Sequence, residues 1–207
     1  MATRNKDHWY DGWFYDRFIA PNQDTLFKQI QMMIQPNSTI IDVGCGTGRF
    51  SFSIAEKCSS VVGLDISLCN IDRAEYQLLK IPDEKISFLH ADIEDIARNS
   101  NRHFDYAIMT YVIHEIDESM RVRVLQAMAA IADTIIIGDY LVPKPKGFWS
   151  KLNNAIEFAA GSDHYNNYNN YVANGGILGL LPKAGLKAIH EIHNSPATSQ
   201  IVVIARQ

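Results

Sequence analysis

Three glycines and three acids stand where their types and spacing could do chemistry together. The stretch IIDVGCGTGRF places Gly44, Gly46 and Gly48 directly after a β-branched run, with Asp42 two residues ahead of the first glycine. Glycine lets the chain turn sharply and lets a ligand approach the backbone where a Cβ would collide. A dinucleotide fingerprint needs G-x-G-x-x-G, and the sixth position counted from Gly44 is Arg49, so the loop fits G-x-G-x-G instead. Asp42, at the carboxyl end of a buried strand, is suited to receive an ammonium group. Asp65 closes VVGLD, where a carboxylate can accept both hydroxyls of a ribose. Asp92 closes FLHAD and can bond an exocyclic amine while Ile93 lies against a flat ring.

Such groups need a rigid frame, and the chain alternates strand and helix. Strands are expected at Thr39 to Val43, Val61 to Asp65, Ile86 to His90, Phe104 to Thr110 and Thr134 to Tyr140. Between them, Leu68, Ile71, Ala74 and Leu78 share one helix face behind an N-cap at Ser67. A second helix follows Asp117, carrying Val124, Leu125, Met128, Ile131 and Ala132. Five strands joined by crossover helices imply a mostly parallel sheet covered on both faces. DTLFKQIQMMIQ reads as a helix before the first strand, and GILGLLPKAG as one near the end. Lys187 to His193 and Gln200 to Ala205 are then close enough to form an antiparallel hairpin.

An amino group, a ribose and an adenine without a phosphate describe S-adenosylmethionine. The glycine loop with acids at three successive strand tips resembles the class I S-adenosylmethionine-dependent methyltransferases, above all the compact small-molecule type. The resemblance covers roughly Asp24 to Val142 plus the C-terminal helix and hairpin. It implies a single α/β domain over 1–207, a Rossmann-like seven-stranded, mostly parallel sheet with helices on both faces and a C-terminal antiparallel hairpin. It also implies S-adenosylmethionine as cofactor and S-adenosylhomocysteine as product. Asp42 would hold the methionine amino end, beside the backbone of Gly44, Cys45, Gly46 and Gly48. Asp65 would take the ribose, Ile66, Asp92 and Ile93 would enclose the adenine, and Thr110 would present its backbone near the methionine. Another S-adenosylmethionine chemistry, or a silent binding module, stays open because fold and cofactor do not fix a reaction.

After the fourth strand, MTYVIHEID lacks the Asn/Asp-Pro-Pro-aromatic motif of enzymes that methylate planar amino groups. No cysteine beyond Cys69 could serve as the nucleophile of a cytosine C5 enzyme. Thr110 stands where catechol-type enzymes carry a Mg²⁺ carboxylate, so no metal is expected. The stretch from about 143 to 176 emerges at the sheet end where ligands bind. Its first part carries Phe148, Trp149, Leu152, Ala155, Ile156 and Ala159 on one helix face, and it ends in GSDHYNNYNNYVANGG. There Tyr165, Tyr168 and Tyr171 recur every three residues and could line one side of a helical turn facing substrate. Substrate lid, disordered loop and partner contact are the three readings of this tract; as a lid, it suits a small polar or aromatic molecule. His164 is the first candidate for a general base and His114 the second. Each could instead be structural, as His90 and His103 are taken to be. The aromatic N-terminus, about 8–20, is expected to cap the cofactor mouth with Tyr10 or Tyr15, or else to anchor on the sheet.

Composition sets outer bounds. The 207 residues suffice for one well-filled domain, with 47% hydrophobic and 20% charged residues. A formal charge of −4 gives no general attraction to nucleic acid. Three cysteines without metal or disulfide spacing suggest reduced thiols in a cytoplasmic protein. The most apolar stretch, Ile131 to Val142, is broken by Asp133 and Asp139, so no membrane span is expected. The sequence leaves oligomeric state open.

Overall fold

TIIDV is β-branched at its start and apolar on both sides, and such a run is stable only where both faces are covered. In a computed structural model of the chain, which describes residues 20–144, 161–194 and 198–205, it forms the central strand β1 (Thr39–Val43). β1 pairs in parallel with β2 (Ser60–Asp65) and with β4 (Phe104–Thr110). Outward lie β3 (Ile86–His90) beside β2, and β5 (Ala132–Tyr140) beside β4, both parallel. The last two strands, β6 (Ala188–His193) and β7 (Ser199–Ala205), are antiparallel to each other, and β7 runs antiparallel to β5. The order is β3-β2-β1-β4-β5-β7-β6, seven strands among the described residues. Strand order reverses between β1 and β4, and the crevice at such a switch point is where open α/β sheets take ligands.

Alternation along each strand sorts the apolar residues to two faces. Ile40, Val61, Ile108, Ile136 and Ile201 pack on one side, against α1 (Ala20–Met33), α2 (Arg49–Ile54) and α3 (Leu68–Lys80). Ile41, Val62, Met109, Ile137 and Val202 pack on the other. That second face is covered by α4 (Ile93–Asn99), α5 (Glu118–Ile131), α6 (Ser162–Ala173) and α7 (Gly176–Ala184). Ser67 Oγ accepts from Asn70 N at 3.4 Å and Asp117 Oδ1 from Ser119 N at 2.9 Å, so both expected caps are made.

Two features depart from the sequence pattern. Leu68 is exposed because it is the first residue of α3, where the helix has not yet turned onto the sheet. α4 had no counterpart among the expected elements: it is only seven residues long, and its start coincides with the Asp92–Ile93 pair read as ligand contacts.

Candidate functional site

Asp42 is 1% exposed at the carboxyl end of β1. Ser51 Oγ, from α2, donates to its Oδ2 at 2.6 Å, while Oδ1 is buried and has no hydrogen-bond partner. Burial pushes this carboxyl up to about 7; the Ser51 bond opposes the rise and the nearby Asp65 adds to it. A buried carboxylate oxygen without a donor is a costly feature that a cationic ligand group would relieve.

The loop after β1 is fixed by its own backbone. Leu64 O accepts from Gly44 N at 2.7 Å and from Cys45 N at 2.9 Å, and Cys45 O accepts from Gly48 N at 2.9 Å. Gly44 has φ +75°, and a Cβ there would lie 2.6 Å from Val112 Cγ2. Gly46, at φ +55°, faces open space that a side chain would occupy, so the loop leaves a cradle along its backbone. Asp65 links loop to strand: its Oδ2 accepts from Gly46 N at 2.8 Å and its Oδ1 from Ser67 N at 2.7 Å. Each carboxylate oxygen keeps a second lone pair, so this fixed carboxylate can still accept two hydroxyls. Burial pushes the Cys45 thiol far up, which leaves it an inert wall of the loop.

Beside Asp65, Ile66 is 76% exposed, an apolar face on the rim. His90 Nε2 lies 3.0 Å from Ile66 O, which ties that rim to β3. Asp92 is committed as the N-cap of α4, accepting from Glu94 N at 2.9 Å. The expectation for Ile93 needs correction: it is 3% exposed and packs in the core, because as the first residue of α4 it turns inward toward α5. Thr110 ends β4, half-buried, and is followed by Tyr111 at φ +56°, whose N–H donates to Gly138 O at 2.8 Å. That turn carries Val112 over Gly44.

Two residues beyond Val112, the same segment carries His114, 2% exposed. Its Nδ1 lies 2.7 Å from Oδ1 of Asp139, a wholly buried acid near the end of β5. Asp139 also accepts from Tyr140 N at 2.6 Å and from His114 N at 3.4 Å. The rings of Tyr140, Tyr168 and Tyr171 surround the imidazole, with centroids 4.8, 6.0 and 6.3 Å away. Sequence reading passed over Asp139, although an acid inside IIIGDY is a signal, since a buried strand tolerates one only with a partner.

The Asn/Tyr tract is the docked helix α6. Tyr168 and Tyr171 do share a face, but it is the inward one: Tyr171 is 0% exposed, donates to Tyr140 O at 3.3 Å and belongs to the core. Burial pushes its hydroxyl well above its ordinary range. The substrate-facing expectation for Tyr168 and Tyr171 is thereby corrected; large aromatic rings at helical spacing fill the space beside α5. Tyr165 stays half-buried, and His164 Nδ1 lies 3.9 Å from Glu115 Oε1.

Together with the bond that Asn167 Nδ2 donates to Glu115 O at 2.7 Å, Arg121, also missed from sequence, helps to seat α6. Its side chain is wholly buried and donates to Ile116 O at 2.9 Å, Asn170 Oδ1 at 2.9 Å, Asn167 O at 2.7 Å and His114 O at 3.4 Å. Its place three and four residues before Val124 and Leu125, on the apolar stripe of α5, was the available signal. Tyr10, Tyr15, Phe148, Trp149 and residues 145–160 of the expected lid lie outside the described residues. Among the described residues, no group of three or more His, Cys, Asp or Glu side chains could hold a metal ion, and no helix is long and apolar enough to cross a membrane.

Comparison with known proteins agrees with this geometry at the level of fold and domain. Residues 40–133 match the family model described as a methyltransferase domain. A probable S-adenosylmethionine-dependent methyltransferase of Saccharomyces cerevisiae is 25% identical over 133 residues, 64% of this chain and 46% of that protein. A mitochondrial ubiquinone biosynthesis O-methyltransferase of Candida albicans is 31% identical over 105 residues, 49% of this chain and 32% of that protein. The chain thus spans less than half the length of these curated relatives. Magnesium protoporphyrin IX methyltransferase from Synechocystis PCC 6803, solved with bound SAH, superposes with a TM-score of 0.66 at 18% identity, over 96% of this chain and 90% of that one. At that identity the likeness is one of fold.

Proposed function

We propose, from the match of residues 40–133 to the methyltransferase-domain model and the geometry of the glycine loop, that this chain is a class I methyltransferase that binds S-adenosylmethionine and directs its methyl group to a small polar or aromatic acceptor. The observation that carries the reading is Asp42, whose buried Oδ1 lacks a donor beside a glycine loop shaped to receive a ligand. When bound, S-adenosylmethionine supplies an electrophilic methyl group on a sulfonium. Asp42 receives the ammonium, and the backbone of Gly44 to Gly48 runs along the methionine. Asp65 orients the ribose with a carboxylate already fixed by Gly46 and Ser67. The exposed side chain of Ile66 offers the adenine an apolar face, and Asp92 its remaining carboxylate oxygen. Methyl transfer is a displacement, so these residues act chiefly by alignment and by keeping water out.

Asp65→Ala is expected to weaken S-adenosylmethionine binding by about 10- to 150-fold, since a charge-assisted hydrogen bond contributes about 1.5–3 kcal/mol. Calorimetry on protein stripped of cofactor reads this directly, and an unchanged affinity would remove the ribose from Asp65. The function itself is tested with methyl-labelled S-adenosylmethionine and cell extract separated into metabolites, protein, lipid and nucleic acid. Label in the metabolites is the expected result. Label in a macromolecule would overturn the substrate class, and cofactor binding without any transfer would point to other chemistry.

A further inference from the structure

Gly63 stands inside β2, outside the glycine loop. A glycine within a strand weakens it and marks a place where something approaches the backbone closely. What approaches here is a ring. A Cβ on Gly63 would lie 2.5 Å from Phe88 Cδ1, 2.6 Å from Phe88 Cε1 and 3.0 Å from Cys45 Sγ. The register accounts for the reach: Asp42 on β1, Gly63 on β2 and Phe88 on β3 form one row across the sheet. Side chains in such a row share a face, and the gap at Gly63 lets the ring of Phe88 extend over β2 toward the loop that follows Asp42. Its tip arrives at Gly48, where a Cβ would lie 2.5 Å from Phe88 Cζ. Phe52 of α2 backs the ring, with centroids 5.6 Å apart, and its N–H donates to Gly48 O at 2.9 Å.

The three loop glycines therefore have different neighbours. Gly44 is covered by Val112 and Gly48 by Phe88, while Gly46 between them faces open space. Both covered glycines have positive φ, +75° and +84°, and neither has a side chain of its own to anchor that shape. We infer that Phe88, admitted by Gly63, is a positioning residue for cofactor binding: its ring sets the Gly48 end of the loop against Asp42 and Asp65, as Val112 sets the Gly44 end. This deepens, and rests on, the S-adenosylmethionine reading. A ring that only filled the core would need no glycine beneath it, since a larger residue at 63 with a smaller one at 88 fills the same volume. If Gly48 shifts, the bond from its N–H to Cys45 O shifts with it, and so does the bond that Gly46 N–H donates to Asp65 Oδ2. The ammonium and ribose contacts would then lose their common frame.

Phe88→Leu keeps an apolar side chain on β3 and withdraws the ring from Gly48. Calorimetry with S-adenosylhomocysteine, on protein stripped of cofactor, should read a Kd raised roughly 10-fold, as for a loop that holds its competent shape about one tenth of the time. Hydrogen exchange of the ligand-free variant should show lost protection at the amides of Gly46 and Gly48, with β1 and β2 keeping theirs. Gly63→Ala, which drives the stiff ring toward the loop, should also raise Kd. The double variant Gly63→Ala/Phe88→Leu, where the methyl takes part of the vacated space, should bind more tightly than Gly63→Ala alone. An unchanged Kd in Phe88→Leu, whatever its stability in urea, overturns the proposal and leaves Phe88 a core side chain. A double variant that binds no better than Gly63→Ala overturns it too. A wild type that binds neither S-adenosylhomocysteine nor S-adenosylmethionine removes the cofactor reading, and this inference with it.

Discussion

Asp42→Asn will be more stable than the wild type at pH 8 in the absence of ligand, and will bind S-adenosylmethionine about 100-fold or more weakly. Both halves follow from one buried carboxyl whose Oδ1 has no donor and whose pKa burial raises from 3.8 to about 7. For a group raised on folding, the stabilising contribution is complete below about pH 4 and is lost as pH rises through about 7, because the unfolded chain gives up its proton first. Above that pH the full loss is about 4 kcal/mol at most. An amide at the position has no proton to lose and keeps the Ser51 partner. The wild type should therefore lose stability between about pH 4 and pH 7 relative to Asp42→Asn, and urea unfolding of both across that range measures it. Ligand binding runs the other way. An ammonium needs the ionised carboxylate, so affinity rises with pH through about 7, and it falls again as the ligand's α-amino group deprotonates near 8. Identical stability curves for the two proteins would mean that Asp42 is already compensated.

Arg121→Met is expected to cost about 3–5 kcal/mol and to release α6 from α5. The guanidinium is wholly buried and serves the carbonyls of His114, Ile116 and Asn167 and the side chain of Asn170. Methionine fills similar volume but donates nothing, so the carbonyls of His114 and Ile116 would lose this donor, while Asn170 Oδ1 would keep only Asn174 Nδ2 at 3.2 Å. Because Arg121 also holds the segment that carries His114, that segment and the Asn/Tyr helix should loosen together. Hydrogen exchange is the measurement: amides of 162–173 should lose protection while those of β1 to β5 keep theirs. Full protection of α6 in the variant would show that Tyr168 and Tyr171 seat the helix unaided.

The sheet was legible because its signals are local. Runs such as TIIDV and FDYAIMT can be stable only as covered strands, and the caps at Ser67 and Asp117 stand next to the residues they serve. The glycine loop and the acids at strand tips were visible for the same reason, since each takes its place from the strand that precedes it. Contacts between distant segments were not. Nothing near Ile93 in sequence says that α5 lies over it, and nothing near Tyr171 says that Tyr140 and Arg121 will enclose it. The Asn/Tyr tract was ambiguous because composition reports solubility and propensity, whereas its burial depends on distant partners, among them Arg121, 49 positions from Asn170, and Glu115, 52 positions from Asn167. Asp139 was read as an interruption in an apolar run; its partner comes from another strand's end, 25 residues away.

β7 lies between β5 and β6, with Ile201, Val202 and Ile204 fully buried. During translation, β1 to β5 can pair as they leave the ribosome, but the free edge of β5 must wait for residues 199–205. Until they emerge, the nascent chain carries an unpaired apolar strand beside a nearly complete ligand crevice, the kind of surface that chaperones hold and that neighbouring nascent chains can stick to. The cell therefore handles this protein most precariously just before residues 199–205 emerge, when the residues expected to do the chemistry have already been made.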